Sequence, residues 1–300
     1  MPESLTNFVE TTQPTLLASD PEWRTEGPLW HAQGYLTFVD LGKSQLLRWS
    51  PGGKVTTVRA GTGEGNGCTF DRSGNLLMCE GADHRRISRM FSSGVVATAS
   101  AGYQGKRLNK PNDVVCRSDG SIYFTDPELR VPKDQRELGF SGVFRISPDG
   151  ATHLGTDECE YPNGLAFSPD EKVLYVAISR LDERCIQEEE RKQVCAHRKI
   201  RAFDVARNGT LSNNRVLVDL SSAEPGVPDG MKVDSKGRIF STGSGGIQII
   251  SSQGERLATI RVPEVPRNLA FGGADFKTLF ITAGKSLYSI KVKEPGIAPY

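Results

Sequence analysis

The sequence predicts an all-β fold, a six-bladed β-propeller with four-stranded blades. Three observations predict it. Short runs of β-branched and aromatic residues recur along the chain, Gly (32) and Pro (17) punctuate the intervals between them, and one short unit repeats six times. The 300 residues, 37% hydrophobic and 24% charged, are of ordinary globular composition and long enough to bury a large core.

The repeating unit is a polar residue, then Gly or a small equivalent, two or three apolar residues, a D/S-x-x-G turn and a β-rich run. Its copies begin at Glu26 (EGPLWHAQGYLTFVD), Asn66 (NGCTFDRSGNLLMCE), Asn112 (NDVVCRSDGSIYFTD), Asn163 (NGLAFSPDEKVLYVAI), Asp229 (DGMKVDSKGRIFSTG) and Asn268 (NLAFGGADFKTLFITA). The starts lie 40, 46, 51, 66 and 39 residues apart, the spacing of propeller blades rather than of shorter or helical solenoid repeats. Each copy supplies two strands. A second turn signal follows most copies, SPGG at 50–53, SPDG at 147–150, ARNG at 206–209 and SSQG at 251–254, and reads as the outer hairpin of the same blade. The long fourth interval coincides with LDERCIQEEERKQVCAHRK, which places a polar surface insertion at 181–198. One blade has to be closed by the chain ends, for which SLYSIKVK at 286–293 and a segment near 14–18 are the candidates. Residues 1–300 are thus expected to form a single domain, with 1–14 a flexible or covering segment.

Charge and composition exclude several classes. Lys+Arg (37) balance Asp+Glu (36) and are scattered, so nucleic acid is not an expected partner. No apolar run approaches the roughly 18–20 residues that span a bilayer, and the opening MPESLTNFVETTQ has neither a basic n-region nor an apolar h-region. No membrane partner is expected, and the predicted location is cytoplasmic. The six cysteines (68, 79, 116, 159, 185, 195) are too dilute for a disulfide scaffold; a Cys185–Cys195 bridge is left open. Histidines 31, 84, 153 and 197 show no zinc-ligand spacing.

The innermost strand of every blade runs along the central tunnel, so its first residue meets its counterparts at one mouth. Here these are Glu26, Asn66, Asn112, Asn163, Asp229 and Asn268, a ring of oxygens. Asn and Asp often cap turns. Six in phase, two of them carboxylates, exceed what turn chemistry asks, because packed carboxylates repel unless protonated or bridged by a cation. Carboxylate and amide oxygens without thiolate or imidazole select a hard cation, Ca²⁺ first, with Mg²⁺ or Mn²⁺ behind it. Such an ion can polarise an ester carbonyl and activate water. No G-x-S-x-G elbow offers a serine alternative.

The ordered set Glu26-Gly-Pro-Leu-Trp, Asn109-Lys-Pro-Asn112-Asp113, Tyr123-Phe-Thr-Asp126-Pro, Pro162-Asn163-Gly and Pro228-Asp229-Gly-Met resembles the gluconolactonase/regucalcin (senescence marker protein) family. The resemblance runs from about residue 15 to 292. It implies one divalent cation, Ca²⁺ or in its place Mg²⁺, Mn²⁺ or Zn²⁺, and a metal-dependent lactonase that opens a sugar lactone or related cyclic ester. By motif, Glu26, Asn163 and Asp229 are the implied metal ligands, and Asp229 is also the implied general base. Asn112, Lys110, Asp126 and Arg107 are the implied substrate-binding residues. Lys110 stands where the regucalcin branch has Arg, Glu128-Leu129-Arg130 replaces a Pro-Tyr-Gly continuation, and Ile178 stands where many relatives carry an acid. The partner is then a small-molecule lactone or ester, and the chain a monomer or small homo-oligomer. Two other readings stay open, an aryl-ester or phosphotriester hydrolase on the same site and a non-catalytic cation-binding scaffold.

Overall fold

The computed structural model describes residues 3–180 and 198–299. Six four-stranded antiparallel sheets form the blades of a propeller. Each copy of the repeat forms the inner two strands of one blade. The innermost strands are Thr25–His31, Gly65–Phe70, Val114–Cys116, Pro162–Phe167, Met231–Val233 and Pro266–Gly272. Their β-rich continuations, such as Tyr35–Asp40 and Ile122–Asp126, pair back onto them. The outer hairpins fall where their turn sequences stand. In SPDG and SSQG the last residue closes the turn, Gly150 N–H donating to the Ser147 carbonyl (2.8 Å) and Gly254 N–H to that of Ser251 (3.0 Å). Both glycines sit near φ +90, a conformation that a side chain resists.

Both candidates for the closing blade are used. Thr15–Ser19 pairs antiparallel with Ser286–Lys291, so one sheet holds both ends of the chain and the ring has no open seam. Residues ahead of that strand are packed down. Phe8 and Val9 are buried against Phe271, Ile290 and Val292, and Glu10 and Lys293 complete backbone bonds across the same junction. The core lies between neighbouring blades: Tyr123 and Val143 of the third blade meet Leu165, Val176 and Phe203 of the fourth. The predicted insertion at 181–198, with Cys185 and Cys195, lies outside the described residues except for Arg198. Among the described residues no helix is long and apolar enough to cross a membrane.

Around the tunnel the inner strands approach so closely that the Gly of the repeat is a steric requirement. A Cβ on Gly164 would stand 2.0 Å from the Asp229 carbonyl oxygen, and one on Gly27, 2.2 Å from that of Asn66. The same contacts carry hydrogen bonds between blades, Gly164 N–H to the Asp229 carbonyl (3.1 Å) and Gly67 N–H to that of Asn112 (2.9 Å). Gly164→Val is therefore expected to lower stability by about 3 kcal/mol, since neither backbone can yield without breaking its sheet. Chemical denaturation checks this, and an unchanged midpoint would remove the close-approach argument.

Candidate active site

Five members of the ring, Glu26, Asn66, Asn112, Asn163 and Asn268, are buried to 3% exposure or less, and Asp229 is half-buried. Glu26, Asn66, Asn163 and Asn268 stand in the first three residues of an inner strand, and Asn112 and Asp229 two residues before one. Two cavities of about 580 and 260 Å³ open beside the ring. Glu26 and Asp229 line the larger, Asn163 and Asp229 the smaller, and Arg130, Arg180 and Val227 are common to both.

Local hydrogen bonds orient these groups. Asn163 Nδ2 donates to Ser179 Oγ (2.9 Å), whose hydroxyl donates to the Pro228 carbonyl (2.6 Å), coupling Asn163 to the segment that carries Asp229. With its amide nitrogen so engaged, Asn163 Oδ1 is buried and has no partner. Glu26 Oε2 accepts from the Gly27 N–H (2.7 Å) and Asn268 Nδ2 (3.0 Å). Asp229 N–H donates to Thr242 Oγ1 (2.7 Å), which fixes the backbone beneath the carboxylate.

The electrostatics are strained in one direction. Burial, then the charge of Glu26, pushes the Asp229 carboxyl well above the usual range, against the pull of Arg130 and Arg267. Glu26 is raised by burial and by Asp113, despite its bonds to Gly27 and Asn268. The buried Glu26 carboxylate and the half-buried Asp229 carboxylate that its charge opposes, beside an orphaned amide oxygen, form a donor set suited to a hard divalent cation. Among the described residues no three His, Cys, Asp or Glu side chains cluster tightly enough to hold a metal. The set here is two carboxylates and an amide.

The structure places the other sequence-predicted residues away from both cavity walls. Asn112 is buried within the ring. The Lys110 ammonium is ion-paired with Glu64, and the Arg107 guanidinium donates to the Asp83 carbonyl. Asp126 is fully buried, one oxygen accepting the Asn109 N–H (2.8 Å) and the other unpartnered. It holds the Asn109–Asp113 segment in place. His84, next to that segment, bonds Glu80 (2.7 Å), which also binds Arg59 and Arg86.

What sequence reasoning missed is the arginine content of the walls: Arg24, Arg130, Arg180, Arg198 and Arg267. A signal was present. Arg24 stands two residues before Glu26 and Arg267 directly before Asn268, so both sit at inner-strand starts.

An oxygen-donor site at one mouth of a six-bladed tunnel defines the class, and comparison with known proteins gives the family. Residues 24–285 match the family model described as SMP-30/Gluconolactonase/LRE-like region. The chain belongs to that family. It is 31% identical to a gluconolactonase of Zymomonas mobilis over 94% of this chain and 82% of that one. It is 28% identical to the pentonolactonase XacC of Haloferax volcanii over 86% and 80%. Among solved structures, a gluconolactonase of Xanthomonas campestris superposes with a TM-score of 0.82 at 33% identity, covering 98% of this chain and 93% of that one.

Burial pushes Asp126 up to about 7, against the bond from Asn109 and the charge of Arg85. Below an unfolded pKa near 4 both states carry the proton; above it the unfolded state ionises first, so this group's contribution to stability is lost as pH rises toward 7. Asp126→Asn keeps an acceptor for the Asn109 N–H and removes the titration. Relative to that variant, the wild type is expected to lose roughly 1 kcal/mol per pH unit between pH 4 and 7. Parallel denaturation curves across this range check it; a constant difference would show that Asp126 does not titrate there.

Proposed function

We propose that this chain is a metal-dependent lactonase that hydrolyses a sugar lactone or related cyclic ester to the hydroxy acid. Its relatives named gluconolactonase and pentonolactonase support the reaction class. The observation that carries the site assignment is the convergence on adjoining cavity walls of Glu26, Asn163 and Asp229, with Asn163 Oδ1 buried and unpartnered. Glu26, Asn163 and Asp229 would hold the cation, and the all-oxygen set favours Ca²⁺ over softer ions, with Mg²⁺ or Mn²⁺ next. When bound, a divalent cation there supplies polarisation of the ester carbonyl and charge to stabilise the oxyanion.

The chain's own residues do the rest. Asp229 takes a proton from the attacking water, whose oxygen adds to the carbonyl carbon. The ring C–O bond then breaks, and the departing ring oxygen takes the proton from Asp229, leaving a hydroxy acid. Asp229, which lines both cavities, is the carboxylate placed to accept that proton. Asn163, fixed by Ser179, keeps its oxygen aimed without reorganisation, and Arg130, donating to Tyr161 OH (3.0 Å), forms a wall beside Asp229.

Lactone opening followed with a pH indicator is expected to stop on chelation and return on adding Ca²⁺. Asp229→Asn is expected to lower kcat by roughly 10²–10⁴. Turnover indifferent to both treatments would overturn the reading. Aryl esters and phosphotriesters in the same assay test the other hydrolase; cation binding without turnover of any substrate would favour the scaffold.

Removing one of two repelling carboxylates has a second, opposite consequence. Glu26→Gln is expected to weaken Ca²⁺ binding about tenfold or more, yet to raise the melting temperature of the chelated protein, because Asp229 loses its largest charged opponent. Calorimetric titration and melting with and without chelator check the pair of signs. A chelated variant that melts lower would show that Glu26 supports the ring rather than straining it.

A further inference from the structure

The Arg130 guanidinium is placed by the same elements that place an implied metal ligand. Arg130 ends the short turn Glu128–Arg130, which is tied to the third blade. The Glu128 N–H donates to Ser141 Oγ (3.1 Å), the Val131 N–H to the Glu128 carbonyl (3.0 Å), and Arg136 Nε to the Val131 carbonyl (2.8 Å). Arg130 Nε donates to Tyr161 OH (3.0 Å). Tyr161 is buried, stands two residues before Asn163, and accepts the Ser179 N–H on its carbonyl (3.3 Å). Ser179 also holds the Asn163 amide, so one short network sets the guanidinium and Asn163 relative to each other. The family motifs assign nothing at this position, because Glu128-Leu129-Arg130 replaces their usual continuation.

Arg130 is also open to a substrate. It is exposed and lines both cavities, and among the described residues Nε makes its only hydrogen bond, which leaves Nη1 and Nη2 without a partner. Asn163 and Asp229 share the smaller cavity with it, and Asp229 and Glu26 are within electrostatic reach of its charge. At about 260 Å³, that cavity brings a small lactone held at Asn163 and Asp229 up against Arg130. What changes at such a lactone during hydrolysis is charge. The ester is neutral, attack by water puts an anion on the carbonyl oxygen, and the product is a carboxylate. A fork of N–H donors fixed beside that carbon binds the charged species more strongly than the neutral one, and this difference lowers the barrier.

We propose that Arg130 is a catalytic residue of this site, its Nη1 and Nη2 donating to the oxyanion of the tetrahedral intermediate and then to the carboxylate of the product. It moves no proton, since a guanidinium stays charged. The proton of the attacking water passes through Asp229 to the departing ring oxygen, and the acid that forms ionises to solvent. The inference rests on the lactonase reading and adds a residue to it.

The test measures kcat and KM for D-glucono-1,5-lactone and D-xylono-1,4-lactone in the presence of Ca²⁺, and titrates D-gluconate calorimetrically. Arg130→Gln is expected to lower kcat roughly 10²-fold while KM changes less than about threefold. The same variant should bind gluconate about tenfold more weakly, with Ca²⁺ affinity and melting curve close to those of the wild type. Arg130→Lys, which keeps the charge and loses the fork, should fall between the two. Guanidinium chloride at about 50 mM should restore part of the kcat of Arg130→Ala and none of that of Asp229→Asn, a rescue that a structural role would not give. Wild-type kcat and gluconate affinity in Arg130→Gln would overturn the assignment and leave the lactonase standing. So would a raised KM at unchanged kcat, the mark of binding that does not favour the transition state. If the wild type opens neither lactone yet binds gluconate through Arg130, the lactonase reading falls and takes the catalytic role with it, while the carboxylate contact stands. Neither turnover nor gluconate binding would overturn both.

Discussion

The near-collision of inner strands around the tunnel is the constraint from which the rest of the structure follows. At Gly164 and Gly27 the neighbouring blade's backbone oxygen occupies the space a side chain would need. That proximity closes the ring through backbone bonds between blades, and it also forces together the polar residues that precede each glycine. Carboxylates and amides that would be solvated at an ordinary strand end are buried, or in Asp229 half-buried, within one ring. Burial and neighbouring carboxylates, Asp113 for Glu26 and Glu26 for Asp229, then raise both groups, so the ring is held at a cost to its own charges. The packed blades on either side supply the energy that holds the arrangement.

Because the constraint repeats, it was legible. A unit recurring in phase reveals both the number of blades and which end of the tunnel its first residue occupies, without any knowledge of loops. That is why the six ring residues could be read from the sequence, with Glu26, Asn163 and Asp229 singled out among them only by the family resemblance, and why the outer hairpins stand where SPGG, SPDG, ARNG and SSQG stand. The closing blade was harder, since Thr15–Ser19 carries no copy of the unit and is recognisable only by the need to pair with Ser286–Lys291.

Residues away from the starts of the repeats were not legible in the same way. The side chain of Lys110 is captured by Glu64, 46 positions earlier, and that of Arg107 by a carbonyl at Asp83. Asp126 ends a strand with the right chemistry for a pocket, but its oxygen is taken by the backbone of Asn109. Such pairings depend on how individual loops cross the mouth, which no periodicity encodes. Three of the cavity arginines have the same origin: Arg130 lies in the segment after the third blade's second strand, Arg180 directly precedes the insertion and Arg198 is its last residue.

Two charge systems thus share one mouth and belong to different layers of the fold. The acids stand at inner-strand starts, where close approach leaves almost no freedom of position. Arg130, Arg180 and Arg198 stand beyond strand ends, where length and sequence can change without disturbing a blade. A site built this way can keep its ring of oxygens while the groups at the rim are exchanged. The segment Glu128-Leu129-Arg130 illustrates the point: it departs from the family pattern, leaves the propeller intact, and puts a guanidinium beside Asp229 on the walls of both cavities. Charge at the rim, rather than the ring itself, is therefore where this chain's selectivity should be sought.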